Sequence, residues 1–148
     1  IDITELINSV EVTTIVPIVG SASCVRSVVK RMLYNFSTES NIVITGRDIG
    51  TEIFPNAFLK FFLTASPEVR AIRRHGQLVL NGDNTIGYEL VLSQILYRDE
   101  MDSRREISPM RIPEDAIIIN SSYITIDKVL SIMDNELNLR EMEFLNNA

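Results

Sequence analysis

Two stretches of this chain set arginine beside aspartate: GRDIGT at residues 46–51 and RDEMDSRR at residues 98–105. The second can be placed by arithmetic. At about 100° per helical residue, Arg98, Asp102 and Arg105 fall within roughly a 60° arc, whereas Asp99 and Arg104 point elsewhere. Two guanidinium forks and one carboxylate on a single face suit a phosphate together with a hydroxyl or a base. A Gly-rich phosphate loop ending in lysine is not found in these residues.

Composition narrows what such arginines serve. A chain of 148 residues has the size of one domain, large enough to bury about two-thirds of its unfolded surface. The formal net charge of −6 argues against nucleic acid or an anionic membrane as a bulk partner. Within that acidic background 11 of the 14 basic residues are arginine, seven of them between Arg70 and Arg111. Local clustering of always-charged, bidentate groups in an acidic protein favours a small phosphorylated ligand over a polyanion. The plainer alternative is a solvated helix face laced with intrahelical ion pairs.

The single cysteine, Cys24, excludes an internal disulfide and fits a reducing compartment. It reads as a small buried hydrophobe, with nothing nearby to activate it. The single histidine, His75, follows Arg73 and Arg74 and reads as exposed and unsuited to a metal. No apolar run of about 18 residues occurs, and the start lacks the basic and apolar regions of a signal peptide. The chain opens at Ile1 without an initiator methionine, which reads as the continuation of a longer polypeptide.

The elements that must position the arginines alternate. Residues 1–10 form a short amphipathic piece. Val25, Val28, Val29, Met32 and Leu33 give residues 21–36 a helical period. Residues 41–45 (NIVIT), 59–65 (LKFFLTA) and 116–120 (AIIIN) read as buried strands, the first ended by a tight turn at Gly46. Helices are expected over 66–80 and 86–105, joined by the turn Asn81-Gly82-Asp83-Asn84, and over 125–145. Ser66, Pro67 and Glu68 supply a hydroxyl cap, a first-position proline and a first-turn acid. Continuous apolar strands separated by helices imply a parallel sheet covered on both faces, with ligands beyond the strands' carboxyl ends. Gly46-Arg47-Asp48 and Asn120-Ser121-Ser122 would both fall at such ends.

In this order GRDIGT, IFPNAFLKFFLTASPEVRAIRR, RDEMDSRR and AIIINSS resemble the carboxyl-terminal two-thirds of a bacterial cytidylate (CMP) kinase, from about Val25 to Met133, with one extra residue in the loop between Gly82 and Tyr88. The resemblance implies an α/β, three-layer P-loop kinase-like fold with a parallel sheet, a helical lid at about 73–97, and a central phosphate-loop strand absent from this chain. Residues 1–148 would be the carboxyl-terminal part of one nucleotide kinase domain. The implied activity is transfer of the ATP γ-phosphoryl group to CMP or dCMP, giving CDP or dCDP, with Mg²⁺ accompanying ATP, in a cytoplasmic monomer that binds neither nucleic acid nor membrane. Carried over position by position, Arg26 and Asp48 resemble residues that read the cytosine ring. Arg47 and Arg105 resemble those holding the acceptor phosphate, with Arg105 also near the base. Asp102 and Arg98 resemble residues at the ribose hydroxyls. Arg70 and Arg74 resemble lid arginines on the ATP side, and Arg47, Arg105 and Arg74 would act in catalysis.

The chain also departs from that pattern. Pro17 stands where the family has a cytosine-binding serine, with Ser21 or Ser23 as substitutes for its hydroxyl; Leu33 stands in place of a glutamine and Asn120 in place of a common aspartate. Two further readings compete with the kinase: a catalytically inactive nucleotide-binding fragment, and a kinase for another monophosphate.

Overall fold

The computed structural model describes residues 10–39 and 41–147. Its order is α1 (Val10–Ser21), α2 (Ser23–Glu39), a π-helical turn (Ile49–Ile53), β1 (Phe61–Thr64), α3 (Pro67–Leu80), α4 (Tyr88–Arg104), β2 (Ile117–Asn120) and α5 (Ile126–Asn147). Two compact units emerge. One comprises the described residues up to Phe54 together with Arg98–Arg111; the other comprises Pro55–Tyr97 and the described residues from Ile112 onward.

The second unit holds the sheet. β1 and β2 pair in parallel, Phe61 opposite Ile117 and Thr64 opposite Asn120. A parallel pair needs a long crossover connection, and α3 and α4 between the two strands provide it. The core of this unit is small: Ala65, Ala71, Val91 and Ile119 are buried. Leu63 and Ile118 remain more than half exposed, so the expectation of a sheet covered on both faces is not met among the described residues. Alternate side chains of a strand point to opposite faces, and Leu63, level with Ile119, and Ile118, level with Phe62, lie on opposite faces, so neither face is fully enclosed.

Local chemistry explains the helix that leaves this sheet. Ser66 Oγ accepts from Val69 N at 3.3 Å, with Pro67 and Glu68 in the first turn, so an exposed amide gains a partner and an acid faces the positive end of the helix. The same serine's amide donates to Ser122 Oγ at 2.9 Å, tying the start of α3 to the loop after β2. At its other end Gly82, at φ 86, takes the left-handed conformation that glycine adopts without cost, while Asp83 N donates to Leu78 O at 2.9 Å. α5 carries Phe144 edge-on to Phe58, 6.0 Å between centroids. Buried Lys60 donates to Pro55 O and to Asp115.

In the first unit α1 and α2 follow one another with only Ala22 between them. α1 is not among the expected helices; Val, Ile and Thr are indifferent helix formers, and Pro17 lies inside it. The expected piece at residues 1–10 lies almost wholly outside the described residues. Residues 41–45, expected as a strand, are irregular, and Val43 is 98% exposed. An apolar run becomes a strand only beside a partner that takes its amides and carbonyls, and among the described residues no strand pairs with it.

Two further expectations are corrected. Cys24 is exposed rather than buried. It lies about 200° around α2 from Arg26, and Arg26 is on the face turned to the rest of its unit. His75 is half-buried rather than exposed, being one helical turn beyond Ala71, which has no exposed surface.

Candidate functional site

Two of the most enclosed side chains of the first unit are charged: Asp48 and Asp102 are 7% and 4% exposed, comparable to the buried Ile53 at 4%. Burying a carboxylate is costly unless cations and donors surround it, and four arginines do so here.

Arg26, on α2, donates to Asp48 Oδ2 and to the Gly20 carbonyl at 3.0 Å, bridging the end of α1 to the GRDIGT segment. Arg105, just past α4, sets Nη1 3.3 Å from Asp102 Oδ1 and Nη2 3.6 Å from Asp48 Oδ1. Arg98 Nε and Arg47 Nε approach Asp102 Oδ2 at 3.8 and 3.4 Å. Arg47 Nη1 also lies 3.4 Å from Asp99 Oδ1 and 3.2 Å from Met110 Sδ. Four guanidiniums thus meet three aspartates, and Glu52 adds a fourth negative charge beside Arg26. Burial lowers the Arg26 pKa and the neighbouring Arg105 lowers it further, while Glu52 and Asp102 oppose them.

The network is incompletely bonded. Arg98 Nε, Asp102 Oδ2 and Arg105 Nη2 are buried without a hydrogen-bond partner among the described residues, and such atoms are costly in a finished interior. The four cations also differ in access. Side-chain exposure is 17% for Arg26 and 11% for Arg105, against 37% for Arg47 and 41% for Arg98. The arrangement therefore offers two accessible forks for an oxyanion above two enclosed ones already oriented by carboxylates.

Arg105 is further fixed by the loop that follows. Its Nε donates to Ser108 O, Ser108 has φ 51, and Met110 N donates to Asp102 O at 2.7 Å. A cavity of about 330 Å³ opens beside it, lined by Ser21, Met101, Arg104, Arg105, Glu106 and Ile107. Ser21, one of the two hydroxyls considered for the role of the missing serine, faces this cavity; Ser23 is not among its lining residues.

All six residues expected at the acceptor side, Arg26, Arg47, Asp48, Arg98, Asp102 and Arg105, thus belong to one unit and one network. Arg104 pairs outward with Glu100 at 2.6 Å, as the helical arc requires. Asp99 does not point away: it joins through Arg47. Its position three residues before Asp102, about 60° around the helix, was the signal for it. Arg70 and Arg74 lie on α3 in the other unit. Arg70 Nε donates to Ala65 O at 3.0 Å, and Arg73, which the sequence reading did not single out, donates to Ser121 Oγ and O at 3.1 and 2.6 Å.

The sequence profile described as cytidylate kinase matches residues 1–138. The chain belongs to that family. It is 42% identical over 130 residues to a cytidylate kinase of Carboxydothermus hydrogenoformans, covering 88% of this chain and 58% of that protein. A cytidylate kinase of Flavobacterium johnsoniae is 47% identical over 118 residues, covering 80% of this chain and 51% of the relative. A bifunctional pantoate ligase/cytidylate kinase of Prochlorococcus marinus is 43% identical over 129 residues, 87% of this chain and 26% of that protein. The chain spans about half the length of the single-function relatives it matches. No helix among the described residues is long and apolar enough to cross a membrane.

Proposed function

We propose that this chain supplies the acceptor-nucleotide side of a nucleoside monophosphate kinase that transfers the ATP γ-phosphoryl group to CMP or dCMP. The observation that carries the reading is the arginine–aspartate network, with its two accessible guanidiniums and its three buried atoms lacking hydrogen-bond partners. Arg47 and Arg105 would hold the acceptor phosphate, with Arg105 also near the base. Arg98 and Asp102 would take the ribose hydroxyls, and Arg26 and Asp48 would read the pyrimidine edge. Arg70 and Arg74, one turn apart on α3, would face ATP from the start of a lid at about 73–97.

Such a reaction asks little of a general base. A nucleoside monophosphate already carries close to two negative charges near neutral pH, its second pKa being about 6. What it demands is the positioning of two anions that repel each other, and arginine forks supply that. Mg²⁺ would arrive on the phosphates of ATP. The carboxylates Asp48 and Asp102 are each already held by guanidiniums, and among the described residues no three His, Cys, Asp or Glu side chains gather as a metal site requires.

A coupled assay of the complete gene product with ATP, Mg²⁺ and each of CMP, dCMP, AMP and UMP tests the reading. Turnover with CMP or dCMP well above the others supports it. Binding of CMP without turnover would instead establish the chain as an inactive nucleotide-binding fragment, and equal turnover of AMP and CMP would overturn the assignment of the acceptor.

A further inference from the structure

Arg26, Lys30 and Tyr34 stand at successive turns of α2 and therefore form one ridge. Each meets the GRDIGT segment at a different point. Arg26 binds the Asp48 carboxylate. Lys30 Nζ donates to Glu52 O at 3.0 Å, and Tyr34 Oη donates to Ile53 O at 2.7 Å. The Tyr34 ring also meets Phe54 edge-on at 5.1 Å and lies 5.7 Å from Lys30 Nζ.

The two carbonyls involved are the ones that need outside partners. Asp48 caps a five-residue π-helical turn held by Glu52 N to Asp48 O at 2.9 Å and Phe54 N to Ile49 O at 2.7 Å. A turn this short has no stability of its own, and the last carbonyls of any helix lack partners within it. Lys30 and Tyr34 supply donors to those of Glu52 and Ile53, with the ammonium at the negative end of the turn. Asp48 makes no side-chain capping bond to the turn it starts; its carboxylate is committed to Arg26 and Arg105.

We infer that Lys30 and Tyr34 are positioning residues for the acceptor site, which clamp the π-helical turn and thereby set the orientation in which Asp48 and Arg26 meet the acceptor base. The inference rests on the acceptor reading above and adds residues that touch no ligand. Loss of either clamp loosens the far end of the turn, so that Asp48 is held from one side only. Binding of the pyrimidine then weakens, while transfer from ATP, which depends on other groups, is spared.

The test compares Lys30→Met, Tyr34→Phe and Lys30→Arg in the complete gene product. Tyr34→Phe removes only a hydroxyl, and Lys30 is exposed, so these variants fold. Each loss variant should raise KM for CMP by about 3- to 10-fold, the worth of one hydrogen bond, and narrow the preference for CMP over AMP. Turnover at saturation and KM for ATP should stay within about twofold of the parent. Amide exchange over residues 49–54 should quicken in both, and Lys30→Arg should restore the parent's values. An unchanged KM for CMP with unchanged exchange would overturn the inference, as would an equal fall in turnover with every acceptor. If the parent itself fails to phosphorylate CMP, the acceptor reading fails, and the exchange rates still decide whether Lys30 and Tyr34 hold the turn.

Discussion

Arg105 Nη2 lies 3.6 Å from Asp48 Oδ1, joining the residue just beyond α4 to the loop that opens the π-helical turn. Because the same guanidinium reaches Asp102 at 3.3 Å, its loss would loosen two buried carboxylates together. Asp48 would keep Arg26, and Asp102 would keep Arg47 and Arg98. In the complete gene product Arg105→Ala should lower CMP turnover by at least about 100-fold and lower stability by about 1–3 kcal/mol. Lysine should rescue only in part, since an ammonium cannot span both carboxylates. Coupled assays with thermal unfolding check this; near-normal turnover in the alanine variant would make Arg105 a purely structural residue.

Arg104 is the matched control. Its guanidinium pairs with Glu100 across a highly exposed helix face, and such pairs contribute little. Arg104→Ala should leave acceptor KM unchanged and stability within about 0.5 kcal/mol. A loss of CMP binding equal to that of Arg105→Ala would place the site on the other face of α4.

Gly46 is required by space rather than by backbone conformation. A Cβ at this position would meet Ile49 Cγ1 at 2.6 Å and Cδ1 at 3.1 Å. Ile49 is β-branched and stiff about its first torsion, so the π-helical turn itself would shift. Gly46→Ala should cost about 1–3 kcal/mol and raise KM for CMP, read by chemical denaturation and by kinetics. An unperturbed KM would show that Asp48 is held independently of the turn.

The Lys60–Asp115 pair predicts a pH dependence. The hydrogen bond from Lys60 holds the Asp115 carboxyl below its ordinary value. A depressed folded-state pKa contributes stability above the unfolded value, about 3.9, that is lost as pH falls through the folded one. Asp115→Asn should therefore lower the denaturation midpoint at pH 7, and the gap between variant and parent should narrow as pH falls below about 4. A gap that does not change with pH would assign the effect to packing instead.

If residues 73–97 act as a lid, a bisubstrate analogue should slow amide exchange around the 81–87 turn, where Gly82 and Asp83 close the end of α3. Unchanged exchange there would argue against closure.

Sequence alone determined what is local or periodic. The Ser66–Pro67–Glu68 start of α3, the Gly82 turn and the Arg98–Asp102–Arg105 face rest on bonds and angles within a few residues. They survive whatever surrounds them. The family was legible for a related reason, because the ordered motifs from GRDIGT to AIIINSS carry more information than any one of them. Tertiary structure decided what depends on partners distant in sequence. Residues 41–45 have strand composition but no strand to pair with among those described, and α1 forms despite Pro17 and its β-branched residues. Cys24 is exposed and His75 half-buried because the direction in which each helix turns its faces is set by packing. The same holds inside the site. Asp99 belongs to the network because Arg47 reaches it across the fold, and Lys30 and Tyr34 matter because two carbonyls end a short turn opposite α2. Periodicity places a residue on a face of its own helix; only the folded chain brings that face to a partner.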